Sequence, residues 1–380
     1  MFTIELVPAQ QGDALWIEYG TRTNPRRILI DGGTPPTIDS LSARITRLPA
    51  PERNFELLIV THIDTDHIGG ILRLLNNPPA DLTFSDVWFN GWPQIDPLTD
   101  EPTLGPATDM TAEAILGPID GEILDRLLDL HVGDVAKAHN GAFSGEAAMI
   151  PARGPLPTIP LEGGMRLTIL APDRGRLRKL RARWASVVRD AARSEADVEA
   201  IVAAGARRRG LEPLLGPVAP DIRASSEATF TSDRTPANGS SIVVLAEFEG
   251  KSALFTGDGF APVIEIGLKR LLAERGIDRL PVDVVKLAHH GSRNNTSLPM
   301  LGLLDCRRFL VSTSGAIFCH PDIEAISRVI VTNGPDVELG FNYRTDTTNV
   351  WDDPVLQGDF AFPFTTQYPK SNTAGLRVVL

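Results

Sequence analysis

The stretch Val60-Thr61-His62-Ile63-Asp64-Thr65-Asp66-His67-Ile68-Gly69-Gly70 follows an apolar, strand-like run and leads into residues with helical spacing. Four side chains of types that commonly bind metal ions occupy six successive positions within it: His62, Asp64, Asp66 and His67. A tight turn between a strand and a helix can aim all four at one point. A single His or Asp here would fit an ordinary solvated turn, but the cluster as a whole predicts a metal site.

Three other segments place polar side chains where an apolar strand ends. These are ALFTGD, which ends at Asp258, VVKLAHHGS, which carries His289 and His290, and LVSTSGAIFCHP, which reaches His320. The chain has seven histidines, and five of them fall in these four motifs. Histidines scattered for packing would not be sorted in this way, so the sequence predicts one site formed at strand ends.

The composition is that of a globular chain without a membrane-spanning segment. Of the 380 residues, 42% are hydrophobic and 22% are charged, and no run of about 18 apolar residues occurs. The start, MFTIELVPAQQGD, lacks a basic region and predicts a strand, not a signal peptide. The two cysteines, Cys306 and Cys319, cannot form a disulfide framework, so we expect a cytoplasmic protein. The net charge of -11 argues against a wholly basic nucleic-acid surface and leaves a local patch open.

Strand-like runs alternate with turns and helices over the first ninety or so residues and again from Ser240 onwards. This pattern predicts a layered α/β fold with its site at strand ends. We expect one domain over residues 1–380, with three additions: a loop-rich insertion at 92–160, a helical hairpin at 173–215 and a C-terminal tail at 345–380. The second helix of the hairpin is expected to begin near Ser194, which resembles a capping residue.

These blocks resemble the metallo-β-lactamase superfamily of metallo-hydrolases, and within it the hydrolase domain of the ComEC competence proteins and their free-standing relatives. The motifs GQGD, DGG, HxDxDHxGG, NxxS, TGD, HHGSxxxTS and HP are matched in order by Gln11-Gly12-Asp13, Asp31-Gly32-Gly33, His62 to Gly70, Asn238 with Ser241, Gly257-Asp258, His289 to Ser297, and His320-Pro321. The resemblance implies an αββα sandwich, with a helical insertion in the middle of the chain, whose loops hold one or two divalent metal ions.

The resemblance also implies roles for individual residues. His62 and Asp64 would bind a first metal ion, and Asp258 would bridge it to a second. The second ion would also be bound by Asp66, His67 and His289. A carboxylate can bridge two cations roughly 3.5–4 Å apart and help to lower the pKa of a bound water. Asp31 would orient a ligand histidine from outside the ligand set.

Two features depart from most of the superfamily. Asp64 stands where a histidine is usual, although the ComEC-like branch shares the aspartate, and its hard oxygen favours Mn²⁺ or Mg²⁺ relative to an all-imidazole zinc site. Across the superfamily as a whole, the ions that we expect are Mn²⁺ or Zn²⁺ first and Mg²⁺ after them. The further histidine that usually serves the first metal has no clear counterpart, which leaves Asn238, His139 or water as its replacement. His131 suits a helix C-terminus, where it interacts with the dipole.

Other polar residues are candidates for catalysis and substrate binding. Besides Asp66, His290 and His320 are expected to face the site and to stabilise a phosphoryl oxygen or protonate a leaving group. Three residues precede an apolar run, where they could present N–H groups to an anion or simply cap a helix: Ser292, Asn294 and Thr296.

Residues 174–189 contain seven positive charges and no acid. A solvated helix face would explain them, and contact with a phosphate backbone is the alternative. Three of these residues are the candidates for that contact: Arg176, Lys179 and Arg183. Trp184 falls on the apolar stripe of the same helix and is expected in the core.

The function that we expect is hydrolysis of a phosphodiester, in single- or double-stranded nucleic acid or a nucleotide, with a metal-activated hydroxide as nucleophile. Hydrolysis of a lactone, lactam or thioester on the same metals is the alternative enzyme, because the fold hosts all of these reactions. A metal-binding module without turnover is a third reading, against which the intact ligand motifs weigh. No membrane partner is expected, and the oligomeric state stays open.

Overall fold

The structure is a computed structural model that describes residues 1–99, 112–190, 220–358 and 361–380. Two β-sheets pack face to face and helices cover their outer faces, so the predicted αββα sandwich is confirmed. The second helix predicted for the hairpin, near Ser194, lies outside the described residues.

The first sheet has six strands: β1 (Phe2–Leu6), β2 (Leu15–Thr21), β3 (Asn24–Ile30), β4 (Asn54–Ile59), β5 (Thr83–Trp88) and β16 (Leu376–Val379). Their order is β16-β1-β2-β3-β4-β5. Strands β3, β4 and β5 run parallel, and the remaining pairs are antiparallel.

The second sheet has eight strands: β6 (Thr158–Pro160), β7 (Arg166–Ala171), β8 (Val243–Phe248), β9 (Lys251–Phe255), β11 (Val284–Lys286), β13 (Arg308–Val311), β14 (Val337–Phe341) and β15 (Phe364–Gln367). Their order is β15-β14-β13-β11-β9-β8-β7-β6, and β9, β11, β13, β14 and β15 run parallel. A separate short parallel pair joins β10 (Leu280–Pro281) to β12 (Leu304–Asp305).

The described helices are α1 (Ile38–Arg47), α2 (Thr65–Asn76), α3 (Trp92–Ile95), α4 (Ala112–His131), α5 (Arg174–Asp190), α6 (Ile222–Ser226), α7 (Pro236–Gly239), α8 (Ala261–Arg275), α9 (Leu298–Gly302), α10 (Ile323–Asn333), α11 (Asp346–Asn349) and α12 (Pro354–Gln357). Short 3₁₀ turns occupy Pro35–Thr37, Ala50–Glu52, Gly141–Phe143 and Ala288–Gly291. None of the helices in the described ranges combines the length and the apolar character needed to cross a membrane.

Strand β4 shows why the sandwich forms. Leu57 and Ile59 point into the core between the two sheets, whereas Leu58 and Val60 pack into a second core under α1, α2 and α4. Successive side chains of a strand alternate between faces, so a strand with both faces covered must be apolar at every position. The uninterrupted run LLIV before the metal-binding motif therefore places that motif at the buried end of a central strand.

Two segments are more ordered than the sequence suggested. The insertion predicted to be loop-rich contains the 20-residue helix α4, whose Leu124 and Leu128 are buried and which packs against α2. The predicted C-terminal tail adds a strand to each sheet, because β15 pairs with β14 and β16 pairs with β1. In β16, Leu376 and Val378 are buried while their neighbours are exposed, which is the two-residue period of an edge strand.

A buried carboxylate on strand β4, that of Glu56, allows a test of the packing. Glu56 Oε1 accepts a hydrogen bond from the Gly163 backbone N–H at 2.8 Å. Burial, opposed by that hydrogen bond and reinforced by the charge of Glu162, raises the pKa of Glu56 from 4.5 to about 7. The unfolded chain therefore releases this proton at lower pH than the folded one, so the group makes the free energy of unfolding fall as pH rises from about 4.5 to about 7.

We expect Glu56→Gln to reduce the loss of unfolding free energy between about pH 5 and about pH 8, because the amide does not ionise. Urea titrations at both pH values measure this difference. Glu249→Gln, at a side chain 71% exposed and absent from the surroundings that shift Glu56, is the matched control and should leave the difference close to that of the unaltered protein. An identical pH dependence for Glu56→Gln and the unaltered protein would contradict the raised pKa of Glu56, whose Oε1 also lies 3.3 Å from Arg26 Nη1.

Candidate metal centre

The motif from His62 to Gly70 begins in the turn between β4 and α2 and continues into the first turns of α2. Asp64 is the N-cap residue of α2, in extended conformation, yet its carboxylate makes no capping hydrogen bond within the described chain. An N-cap aspartate normally accepts from the first turn of the helix. Here one carboxylate oxygen lies 3.6 Å from His62 Nε2 instead, so the residue is directed toward the site.

Asp258 reaches the same point from the second sheet. It is the third residue after the end of β9 and is 2% exposed. One oxygen, Oδ1, lies 3.3 Å from His67 Nε2. The other, Oδ2, lies 3.7 to 3.9 Å from the Nε2 atoms of three histidines: His290, His289 and His62. His290 Nε2 is also 3.4 Å from an oxygen of Asp66. The ends of parallel strands in both sheets thus converge on one carboxylate.

The Nδ1 atom of each histidine around Asp258 has a partner on the side away from the centre. His67 Nδ1 donates to Asp31 Oδ2 at 2.8 Å, and His290 Nδ1 donates to the Ser312 carbonyl at 2.8 Å. The Thr61 hydroxyl is 3.0 Å from His62 Nδ1, and Asn295 Oδ1 is 3.1 Å from His289 Nδ1. Partners of this kind fix the orientation of a ligand imidazole and leave its Nε2 lone pair facing inward.

The inward-facing atoms lack hydrogen-bond partners. Within the described part of the chain, four buried atoms of this centre make no hydrogen bond: His62 Nε2, His67 Nε2, His290 Nε2 and Asp258 Oδ1. Buried polar groups are almost always satisfied, so a cluster of unpartnered atoms that face one point indicates a ligand site. Ligand atoms about 2.0–2.2 Å from a tetrahedral metal ion lie about 3.3–3.6 Å from one another, which is close to the spacings given above. The residues therefore fit a divalent cation.

The electrostatics of the centre also favour a cation. Although burial lowers it, the carboxylates of Asp258 and Asp31 raise the pKa of His67 well above its ordinary value. Burial opposed mainly by Asp258 and Asp233 leaves the pKa of His289 at about 9. Positive charge is thus favoured here even at buried sites, because the carboxylates outnumber their cationic partners.

Close backbone approach explains two of the motif glycines. A Cβ placed on Gly12 would lie 1.7 Å from the Asp66 carbonyl oxygen, and one on Gly70 would lie 1.9 Å from the Gly32 carbonyl oxygen. Only glycine allows the GQGD and DGG turns to touch the first turns of α2. These contacts bring Asp13 and Asp31 against the histidines that they face.

The two adjacent histidines of the HHGS motif have an uncommon backbone. His289 has φ 49° and His290 has φ 58°, both in the left-handed region. For residues other than glycine this conformation costs of order 1–3 kcal/mol, and it clusters at functional sites. The turn it creates brings both rings to Asp258, whereas neighbouring residues of an extended strand would point to opposite faces.

A buried ion pair lies behind His290 and was given no role by sequence reasoning. Asp13 and Lys286 are each 1% exposed, and the Lys286 ammonium contacts Asp13 Oδ2. The other oxygen of Asp13 is 3.3 Å from His290 Nδ1. Asp13 can offer one ligand atom to a group with His67, Asp258 and His290, and the four ligand atoms of this group lie within 4.8 Å of one another. A lone lysine in the apolar run VVKLA was the signal available in the sequence.

Asp233, which belongs to none of the quoted motifs, connects Asn238 to His289. Its Oδ2 accepts from Asn238 Nδ2 at 2.7 Å and lies 3.5 Å from His289 Nδ1. Asn238 is in direct contact with the same histidine, because its Nδ2 lies 3.4 Å from His289 Nδ1. The His320 ring lies 5.4 Å from that of His289, and its Nδ1 is 3.4 Å from Asp322.

Two further histidines have partners on the β5 and α2 side of the fold. His139 Nε2 is 3.2 Å from the Phe89 carbonyl, and its ring stacks on Phe89 at 6.3 Å. His131 is the last residue of α4, and its Nε2 lies 2.7 Å from the Leu75 carbonyl of α2. Within the described chain, the histidines that contact Asp258 are His62, His67, His289 and His290, and neither His131 nor His139 is one of them.

The loop after His290 and the arginine-rich helix supply the remaining candidate residues. In the loop, Ser292 and Thr296 are buried and Asn294 is exposed. In α5, Trp184 is fully buried, as expected for the apolar stripe. Arg176 of the same helix lies over the ring of Phe260, 4.9 Å from its centroid, two residues beyond Asp258.

A comparison with protein families finds the class that the motifs indicated. Residues 8–135 match the family model described as the metallo-beta-lactamase superfamily. The superfamily part of the resemblance is therefore supported over the segment that carries the GQGD, DGG and HxDxDHxGG motifs. Comparison with curated proteins finds no match.

The solved structures that match this chain are distant from it in sequence. Zn²⁺-bound PqqB from Methylobacterium extorquens is 13% identical, with all of both chains covered and a TM-score of 0.40. A point mutant of the CmlA β-hydroxylase is 13% identical with a TM-score of 0.39; all of the present chain is covered, but it spans only 54% of that protein. A metallo-β-lactamase from Cronobacter sakazakii with a HARLDQ motif is 13% identical over 76% of this chain and 78% of that one, with a TM-score of 0.32.

The Asp13–Lys286 pair gives a test of the centre that needs no substrate. Removing one partner of a buried ion pair leaves an uncompensated charge, so we expect Lys286→Met to lower the free energy of unfolding by about 3–5 kcal/mol. Asp13→Asn combined with Lys286→Met should lose clearly less than that. Urea unfolding measures both.

Lys251→Met is the matched control, because Lys251 pairs with Asp283 at 3.1 Å on the surface, where such pairs contribute about 0–1 kcal/mol. Equal stability of Lys286→Met and the unaltered protein, or no relief in the double variant, would contradict the pair.

Proposed function

We propose that the chain is a divalent-metal-dependent hydrolase that cleaves a phosphodiester in a nucleic acid or a nucleotide. The observation that carries the proposal is the convergence of unsatisfied imidazole Nε2 atoms on the Asp258 carboxylate. Such a group of side chains suits a divalent cation. Bound divalent cations promote hydrolysis without any other cofactor.

The distances support a division of the ligands into two groups that share Asp258. His62 and Asp64 form one group, with His289 opposite them across Asp258 Oδ2. Asp66, His67 and His290 form the other. In this assignment His290 is the histidine that completes the second metal site, a role that the motif resemblance gave to His289. His289 becomes the further ligand of the first metal ion, for which Asn238, His139 or water was expected.

When bound, divalent cations lower the pKa of water and offset negative charge on a phosphodiester. The chain's own part is to hold the ligands still. Asp31 accepts from the Thr61 backbone N–H and hydroxyl, both at 2.7 Å, and from His67. One carboxylate thus fixes the end of β4 and the first turn of α2 together, which is the positioning that a cation site requires.

Two features support an anionic, oxygen-rich substrate. The ligand set contains three carboxylates, Asp64, Asp66 and Asp258, and hard oxygen ligands suit Mn²⁺ or Mg²⁺, the usual partners of phosphates. Arg176 lies over the ring of Phe260, two residues beyond Asp258, and Lys179 follows three residues further along α5. Positions three residues apart share a helix face, so both can meet a substrate that approaches Asp258 from this side.

The experiment combines metal analysis with substrate turnover. Protein loaded with Mn²⁺, Zn²⁺ or Mg²⁺ is expected to hydrolyse bis(p-nitrophenyl) phosphate in preference to a lactone. Asp258→Asn should remove most of the bound metal and lower hydrolysis on the order of a hundredfold or more, because it changes a ligand and not merely a residue that supports one.

Asp283→Asn is the control, since Asp283 is a carboxylate away from the centre that accepts from the Ser252 backbone N–H at 2.8 Å. Undiminished metal content and turnover in folded Asp258→Asn protein would refute the centre. Turnover of the lactone alone would leave the metal centre in place and refute the phosphodiester.

The salt dependence of binding tests whether the substrate is a polynucleotide. Replacing Arg176, Lys179 and Arg183 by Gln should weaken binding of a single-stranded oligonucleotide and flatten its log–log salt dependence by about 0.7–0.9 for each phosphate that is no longer neutralised. Fluorescence anisotropy over a salt series measures the slope. The control replaces Lys269, Arg307 and Arg377, which are 55–71% exposed elsewhere, and should leave the slope unchanged. Equal slopes in both triple variants would indicate that α5 is a solvated face.

A further inference from the structure

An exposed aromatic ring lies beside the metal centre and has no part in the mechanism above. Phe318 is 40% exposed and, among the described residues, belongs to neither hydrophobic core. Its ring centroid is 6.0 Å from that of His320, with 30° between the planes. The two rings are therefore stacked, and the phenyl ring of the pair is partly exposed to solvent.

The stacked pair continues into the ligand set. The His320 and His289 rings are 5.4 Å apart at 69°. His289 Nε2 in turn lies 3.8 Å from Asp258 Oδ2. Three rings thus lead from the carboxylate at the centre to an exposed phenyl group, so a substrate whose reacting group is held at Asp258 can reach Phe318 with the part next to that group.

The loop that carries Phe318 is fixed at both ends. The Ser314 backbone N–H donates to the Gln10 carbonyl at 2.7 Å, which joins the loop to the GQGD turn. The His320 carbonyl accepts from the Thr347 hydroxyl at 2.9 Å. Between these points the Cys319 N–H donates to the Gly315 carbonyl at 3.1 Å and closes a tight turn. The phenyl group is therefore held out at the rim by its backbone and not by burial of its side chain.

We propose that Phe318 is the platform on which a nucleobase of the substrate stacks, next to the phosphodiester that is cleaved. This inference rests on the proposed function and specifies its substrate class as a nucleotide or nucleic acid and not a simple phosphodiester. The residues beside Phe318 in the loop are Ala316, Ile317 and Cys319, which bring no amide or charged group to read base edges. Stacking without such groups is tolerant of sequence, because every base has a π face.

The test compares two substrates with the same leaving group. Thymidine 5′-(p-nitrophenyl phosphate) and methyl p-nitrophenyl phosphate differ only in the nucleoside. The unaltered, metal-loaded protein should prefer the nucleoside ester, and Phe318→Ala should lower the ratio of the two kcat/KM values roughly tenfold. Phe318→Trp should keep the ratio, because the indole stacks as well.

Phe318→Leu separates stacking from folding, since it keeps an apolar side chain without a ring and should lower the ratio as Phe318→Ala does. Ile266→Ala, which truncates another apolar side chain that is 50% exposed, should change neither rate. If neither ester is hydrolysed by the metal-loaded protein, the proposed function fails and this inference with it. If both are hydrolysed and the ratio is the same in Phe318→Ala and Phe318→Leu as in the unaltered protein, the function stands and the stacking platform is refuted.

Discussion

The contact between Asp258 and His67 is the constraint on which the rest of the molecule depends. The histidine belongs to the first turn of the helix after β4, and the carboxylate follows β9 of the opposite sheet, with 3.3 Å between Nε2 and Oδ1. A site shared by two sheets exists only when both sheets are folded and in register. The large apolar core between them therefore positions the centre as well as stabilising the fold.

The cost of bringing so many polar groups together is visible in the backbone. Asp31, His289 and His290 all have φ between 49° and 58°, and the close backbone contacts of Gly12 and of Gly70 in α2 leave no room for a Cβ. Strained residues persist only where their surroundings determine them fully. Here the surroundings are hydrogen bonds on the outer side of each histidine, so the outer partners matter for the geometry as much as the ligands themselves.

The sequence predicted the sandwich, and it predicted which side chains come together better than how they are arranged around Asp258. Apolar runs followed by His62 or Asp258 are strand ends in any α/β fold, so the convergence of these residues could be foreseen. Which of His289 and His290 faces which side of Asp258 depends on two left-handed residues, and no propensity forecasts these. Asp233 belongs to none of the motifs, and it reaches His289 because the chain before α7 lies against the loop after His290, where the Asp233 N–H donates to the Asn294 carbonyl at 3.1 Å.

The balance of charge explains why these details had to be found in the structure. Asp13 is offset by Lys286, and Asp31 by its hydrogen bonds to Thr61 and His67. Asp258 has no such fixed partner within the described chain, only imidazoles whose other nitrogen is already committed. Buried carboxylates are tolerated only when they are paired or coordinate a metal. Asp13 and Asp31 thus have partners that suit them to orient ligands, whereas Asp258 is suited to bind a cation. The role of Asp13 depends on Lys286, which is 273 residues away in the chain, so the sequence alone does not reveal it.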